Sequence, residues 1–354
     1  MKFLYEKNNF DNYIYLILSL IVIFFFYFKF YLFHEVPATG DELSAILVYS
    51  SNIKTLFTKN YPNNVTLFHL IGYIKTIFLG YDLLTFRTIS FFFVLTHLLI
   101  LKKLKFKRSE ILIYSSIILL TTFVLQGSLY IGYAFSSFVF CIIFYYLKRN
   151  NIDRYNKIIF ILLFIQTYNH LINLYFVIPI LIVLFVSLEK KIFIRNFLLF
   201  FFFPTFLFYL FSISLTGIAL MKISDTNFSY VIIFFLNNLT EIFINGFKGI
   251  FFYKAYSTAN AFDIKTFLIT LYNFDKIIFF IMLFSLVTSV LNFKYYEKSY
   301  LYLIVFLHIV TIIIINKNPA PRIFAGFAPF YLLIVFDYFR NSIFKQFQNY
   351  KIIK

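Results

Sequence analysis

The sequence contains no tryptophan, one cysteine, nine glycines and seven prolines, and only 13% of its 354 residues are charged. Each scarcity removes a class of protein. The lone Cys141 permits neither a disulfide framework nor a thiolate metal site, and its place in the apolar run Phe138 to Phe144 marks it as packing. The glycines form no phosphate-cradling loop, so a nucleotide fingerprint is excluded. Charge far below the roughly 25% of a soluble domain, with 61% hydrophobic residues and a mean hydropathy of +0.84, leaves more apolar surface than a soluble fold can hide. Acidic residues are scarcer still, 15 against 32 Lys and Arg, giving a net charge of +17. In a soluble protein that excess would suggest nucleic acid. Here it is first a topology signal, and once it is used as one no nucleic-acid partner is expected. The missing tryptophan beside 56 Phe and 29 Tyr, with abundant Ile, Lys and Asn, looks like AT-rich codon usage and carries no mechanistic meaning.

What the chain does have is long apolar runs. The segment Tyr13 to Phe33 exceeds the ~20 residues needed to cross a ~30 Å hydrocarbon layer, and such runs recur along the chain. The expected fold is an all-α integral membrane protein of one polytopic domain, 1–354. About ten transmembrane helices are expected, at 13–33, 84–101, 110–126, 128–147, 157–169, 171–187, 196–220, 275–292, 299–316 and 322–338. The first run lacks a small-residue cleavage site before His34 and is kept as a span. Basic clusters at Lys102 to Arg108, Lys148 to Lys157 and Lys190 to Arg195 fall on one side with Lys294, Lys298 and the tail residues Arg340, Lys345, Lys351 and Lys354. That side is the cytoplasm, which places both termini there, and a prokaryotic inner membrane is the expected location. The same rule makes 65–81 an interfacial helix, with Thr66, His69, Tyr73 and Thr76 on one polar face, because a full span there would move the first basic cluster outside. By the same logic 157–187 crosses twice, as two short helices turning near Asn169 and His170. Two long segments remain external, 34–83 and 221–274. The N-x-S/T triplets at Asn64, Asn227 and Asn238 are expected by chance in an Asn-rich chain and imply no glycan.

The candidate chemistry lies where the first span ends, in His34-Glu35-Val36-Pro37-Ala38-Thr39-Gly40-Asp41-Glu42. Thr39-x-x-Glu42 has the pattern of a capping box, and Leu43, Ile46, Leu47, Ile53 and Phe57 give the following stretch an apolar face. Capping accounts for Glu42 but not for Asp41. Acidic residues are favoured in any first helical turn, so local pattern alone leaves both a structural and a catalytic Asp41 open. The order of a span, Asp41-Glu42, an interfacial helix, Tyr61-Pro62-Asn63-Asn64, a second interfacial helix, Leu79-Gly80, Arg87 and Lys102-Lys103 resembles the N-terminal third of the C-type glycosyltransferases. Within that superfamily it is similar to the protein O-mannosyltransferase and aminoarabinose-transferase group. Asn318-Pro319-Ala320-Pro321-Arg322 resembles that group's arginine at the mouth of its final helices. The chain departs from the pattern at Val65, where relatives carry His, and at Tyr130-Ile131-Gly132-Tyr133, where relatives carry Arg-x-Tyr.

The resemblance implies a polyprenyl-phosphate sugar as donor, a glycolipid, polysaccharide or protein as acceptor, membrane lipids as surroundings, and inversion at the anomeric carbon. Asp41 would be the catalytic carboxylate, with Glu42 beside it. A lipid-phosphate sugar already has a leaving group, so its transfer needs a base for the acceptor hydroxyl and cations for the departing phosphate. Arg322, Lys317 and Lys222 are the candidate cations, with interfacial anchoring as the alternative for each. His69, His170 and Asn64 are candidate substrate contacts. The five histidines show no zinc-ligand spacing, so neither a metal nor another cofactor is expected. Two other functions fit a polytopic chain. A polysaccharide polymerase or ligase would use large basic external loops, whereas 221–274 holds only Lys222, Lys248, Lys254 and Lys265. A lipid-linked-sugar flippase or transporter would show repeats and mid-membrane charges, whereas these spans are nearly charge-free. The basic clustering predicts that single cysteines at Lys105 and Asn151 are shielded from impermeant thiol reagents in intact cells, and that ones at Thr58 and Thr258 are labelled. Labelling at Lys105 would overturn the orientation and the interfacial assignment of 65–81.

Overall fold

The computed structural model describes residues 21–22, 38, 40–51, 56, 66–124, 132–148, 152–169, 173–205, 207, 257–261, 263–291, 301–315, 317–319, 324 and 326–339. These are overwhelmingly helical. A short helix α1, Gly40–Ser44, runs on as a π-helical turn, Ala45–Tyr49. Then come α2, Thr66–Leu79; α3, Leu83–Lys103; α4, Arg108–Leu120; α5, Tyr133–Lys148; α6, Ile152–Asn169; and α7, Leu174–Ser187. Helix α8, Lys190–Phe197, continues through a second π turn, Leu198–Phe202. Beyond it lie α9, Ile264–Phe274; α10, Lys276–Leu291; α11, Leu301–Ile315; and α12, Gly326–Phe339.

Helix α3, 21 residues at a mean hydropathy of 1.8, is the one described helix long and apolar enough to cross a membrane. Its length is about 32 Å at 1.5 Å per residue. Its ends are built for their surroundings. The Asp82 carboxylate accepts from Thr85 N at 3.0 Å to cap the start, and Lys102 and Lys103 meet the negative end of the dipole. The other apolar helices, such as Tyr133–Lys148, Tyr175–Ser187 and Lys276–Leu291, are shorter. Their sidedness is nonetheless informative. On α10, Ser285, Thr288 and Ser289 are buried while Phe280, Val287, Val290 and Leu291 are exposed. The buried hydroxyls donate to carbonyls three or four residues back, so the polar groups are satisfied within the helix.

Several boundaries differ from the sequence expectation. Helix α6 starts at Ile152 and reaches 18 residues, because the basic stretch that was assigned to a loop supplies its first turns. The helix expected at 196–220 starts at Lys190, for the same reason. The span expected at 110–126 bends at Thr121, whose hydroxyl bonds back to Ile118 O at 2.6 Å. The chain is also not purely helical: β1, Ser257–Ala261, pairs antiparallel with β2, Lys317–Pro319. Proline explains the second strand, since Pro319 drives Asn318 towards extended backbone and cannot donate a helical hydrogen bond. The first expected span, 13–33, lies outside the described residues apart from 21–22, as does most of 221–256.

Aromatic rings form much of the core. Phe176 of α7 lies 5.3 Å from the Phe140 ring of α5, 4.5 Å from Phe327 and 4.8 Å from Phe330 of α12, ring centre to ring centre. Buried polar groups are paired within this packing. Tyr114 OH donates to Pro329 O at 3.0 Å, and Tyr331 OH and His308 Nδ1 meet at 2.6 Å. Lys148 at the end of α5 forms an ion pair with Asp337 at the end of α12. The opposite end of α5 is held by carboxamides. Asn173 Nδ2 donates to Gln166 Oε1 at 2.7 Å and to Ser136 Oγ at 3.0 Å, Asn169 Nδ2 reaches the same Oγ at 2.9 Å, and Gln166 Nε2 reaches Ser136 O at 2.6 Å. All four residues are buried. Replacing Asn173 with Ala strands partners that water does not reach, at a cost of about 1–3 kcal/mol. Asn173→Ala should therefore lower the unfolding temperature in detergent clearly, while Asn273→Ala, at an exposed helical position, should barely change it.

Candidate functional site

The site grows from the turn that joins α2 to α3. Gly80 ends α2 with φ +72° and donates its N–H to Thr76 O at 3.1 Å. Only glycine takes this left-handed conformation without steric cost. Lys75 folds back over the turn, donating to Gly80 O at 2.7 Å and Asp82 O at 3.3 Å, with its ammonium 3.8 Å from the centre of the Phe86 ring. Loss of water lowers the pKa of this ammonium below the usual lysine value, and the Asp82 carboxylate opposes the shift. The turn thereby fixes where α3 begins, and with it Arg87, one helical turn inside.

Arg87 is the one charge in α3 before its terminal lysines, and it is 3% exposed. Its guanidinium meets Glu42, which is 0% exposed, through two bonds: Nε to Oε1 at 2.8 Å and Nη2 to Oε2 at 2.7 Å. This fork geometry makes two parallel charge-assisted bonds and fixes the orientation of both groups. Ala45, Ile46, Phe68 and Phe86 pack into an apolar cluster beside it. Ser50 at the end of the π turn donates to His69 O at 3.4 Å, which ties α1 to α2. The π turn that begins three residues after Glu42 is of a kind that recurs at functional sites.

Glu42 was read from sequence as a capping-box residue beside the catalytic aspartate. Thr39, the other half of that box, lies outside the described residues, and both Glu42 oxygens accept from an arginine 45 positions away, because a carboxylate removed from water needs a full counter-charge. Asp41 lies in the first turn of α1, so this ion pair sets the backbone on which it sits. His69, on the polar face expected for α2, is fully buried, while Tyr73 and Thr76 of the same face are half-buried. Lys317 falls in β2, opposite Ala261, which joins part of the segment 221–274 to the loop before α12. Asn64, His170, Lys222 and Arg322 lie outside the described residues.

Two features of the site escaped sequence reasoning. Arg87 was noted only as part of an ordered pattern, although a lone arginine in an apolar helix is itself a signal that a buried partner exists. The carboxamide cluster at Ser136 was also missed. It sits one residue beyond Phe135, whose ring lies 6.2 Å from Phe68, and Asn169 Oδ1 has no partner in it among the described residues. No group of three or more His, Cys, Asp or Glu residues suited to a metal occurs among the described residues. The chain matches no family model, no curated protein and no solved structure.

The buried pair predicts a specific mutational pattern. Arg87→Ala leaves Glu42 charged in an apolar cluster and should cost about 3–5 kcal/mol. Glu42→Leu combined with Arg87→Met removes both charges and should recover most of that loss. Unfolding of the single and double variants in detergent measures the difference. A double variant as unstable as Arg87→Ala would show that more than charge pairing holds α1 to α3.

Proposed function

We propose that the chain is a polytopic membrane glycosyltransferase that moves a sugar from a polyprenyl-phosphate donor to an acceptor hydroxyl on the external face of the membrane. The observation that carries the proposal is the Glu42–Arg87 pair. It clamps the first turn of α1, and therefore the Asp41 backbone, to the start of the longest apolar helix among the described residues. A general base must be held at a fixed place relative to its acceptor, and buried, two-pronged pairing of the adjacent residue provides such rigidity. The membrane setting is supported by α3 and by the outward apolar and inward polar residues of α10. Ten spans, with both termini in the cytoplasm of a prokaryotic inner membrane, remain the arrangement that accounts for the basic clusters.

In this mechanism Asp41 takes the proton of the acceptor hydroxyl as its oxygen attacks the anomeric carbon. The bond from that carbon to the phosphate oxygen breaks on the opposite face, and the lipid phosphate leaves as an anion. Arg322, with Lys317 and Lys222, supplies positive charge to that anion. Asn64 and His170 are assigned to substrate binding, His69 being enclosed in the protein, and no metal is needed to neutralise a monophosphate. Glu42 acts through Arg87 as a positioning residue.

Asp41→Asn should reduce single-turnover transfer from a defined polyprenyl-phosphate sugar by about 10²- to 10⁴-fold, with donor binding unchanged. The amide keeps the size of the side chain but cannot accept the proton at neutral pH. Glu42→Gln should lose less, through weaker positioning. Unimpaired turnover in Asp41→Asn would eliminate the mechanism, and equal damage from both changes would mean that the pair only shapes the loop.

A further inference from the structure

Ser136 near the start of α5, Gln166 and Asn169 at the end of α6, and Asn173 just before α7 form one buried knot of neutral side chains. A buried amide is costly unless both of its ends are matched. Most of the knot is matched. Gln166 gives a proton from Nε2 to Ser136 O and receives one from Asn173 Nδ2 on Oε1. Ser136 Oγ accepts from Asn169 Nδ2 at 2.9 Å and from Asn173 Nδ2 at 3.0 Å, and its own O–H finds no acceptor among the described residues. Asn169 Oδ1 accepts from nothing among them, although the residue is 0% exposed. Turning the amide over only moves the orphan: its oxygen would take the Ser136 proton, and its nitrogen would be left without a partner.

A donor and an acceptor left open side by side describe a hydroxyl, which gives one proton and takes another. A phosphate would call for a cation and a metal ion for a carboxylate, and the four side chains carry no charge. Beneath the knot the surface is aromatic. Phe140, one turn after Ser136, and Phe176, one turn after Asn173, lie 5.3 Å apart. A few polar groups set over apolar rings are what a small neutral ligand needs. The knot is also near the acidic segment. Phe135, beside Ser136, lies 5.1 Å from the Phe93 ring and 6.2 Å from Phe68, which belongs to the cluster next to Glu42 and Arg87. Phe93 is six residues beyond Arg87, about 9 Å along α3. The knot therefore lies one layer deeper in the bundle than the turn that carries Asp41, within the reach of one bound sugar and its acceptor.

We propose that Ser136 and Asn169 bind a hydroxyl of the sugar that is transferred, the hydroxyl taking the partner position that the Asn169 amide leaves open. The inference rests on the transferase reading above and adds a specificity site to it. The charged groups of that reading handle the proton and the phosphate, and the neutral knot reads the sugar ring. Gln166 and Asn173 act through Ser136 as positioning residues, because their bonds fix where its hydroxyl stands.

The test measures affinity, so it does not depend on turnover. Farnesyl phosphate and its glucose, galactose, mannose and arabinose esters are titrated into the full chain in detergent. The wild type should bind one of the esters more tightly than farnesyl phosphate. Asn169→Leu and Ser136→Ala should each weaken that ester by roughly 10- to 100-fold and bind farnesyl phosphate as before. Of the deoxy forms of the ester, one should lose the same factor with the wild type and nothing further with the variants, which couples that hydroxyl to the knot. Unchanged affinity of both variants for the ester would overturn the inference. Equal losses for the ester and for farnesyl phosphate would overturn it too, since the knot would then be structural alone, as would a wild type that prefers none of the four esters. Should Asn169→Leu fail to insert, Ser136→Ala carries the comparison. A wild type that binds an ester through the knot but transfers none of them would remove the transferase reading and leave the sugar site standing. Transfer by the wild type, with both variants binding the ester normally, would do the converse.

Discussion

Arg87 enters the interior of the protein from the first turns of an otherwise apolar helix, and the structure around the candidate site follows from the need to neutralise it. A guanidinium in a medium of low polarity cannot shed its proton, so it must meet an anion with good geometry. Glu42 is that anion, and its two oxygens match the two donors of the fork. The pairing joins residues 45 positions apart and draws the segment after the first apolar run onto α3. The Gly80 turn, the Lys75 clamp and the Ser50 bond to α2 are short-range devices that bring Arg87 to the right height.

The same logic of paired polar groups recurs at each end of the helices. Lys148 and Asp337 join the ends of α5 and α12, and Asp275 both caps α10 and accepts from Thr122 N at the end of α4. At the other end of α5, Gln166, Asn169 and Asn173 gather on Ser136. Between these polar layers the packing is aromatic. Ring contacts and buried hydrogen bonds set which helices are neighbours. The polar pairs give those contacts their register, and the site inherits its precision from them.

How much of this was legible beforehand differs from element to element. Tyr133–Lys148, Lys276–Leu291 and Leu301–Ile315 fall within a few residues of the runs assigned to them, because a continuous apolar stretch has few other folds open to it. Next to the basic clusters the helices start at Ile152 and Lys190, earlier than the runs expected from 157 and 196, since lysine and arginine are good helix formers whatever they signal about topology. The acidic pair stands out in the sequence as a feature needing explanation. Its partner does not, because nothing in the local pattern around Glu42 points to a residue 45 places on.

The sequence alone determined the helical character of the chain, its apolar runs and the segment where chemistry would be sought, because these depend on hydropathy, charge bias and local propensity, which act over one helix at a time. Tertiary structure decided the partners. It showed that Glu42 belongs to Arg87, that Lys75 turns inward and Phe78 outward, and that Asn173, Gln166 and Ser136 form one knot. The physical reason is that the face a polar residue chooses in an apolar helix depends on what lies beside it. A counter-charge or carbonyl from a distant helix changes that choice by more than any neighbour in sequence can.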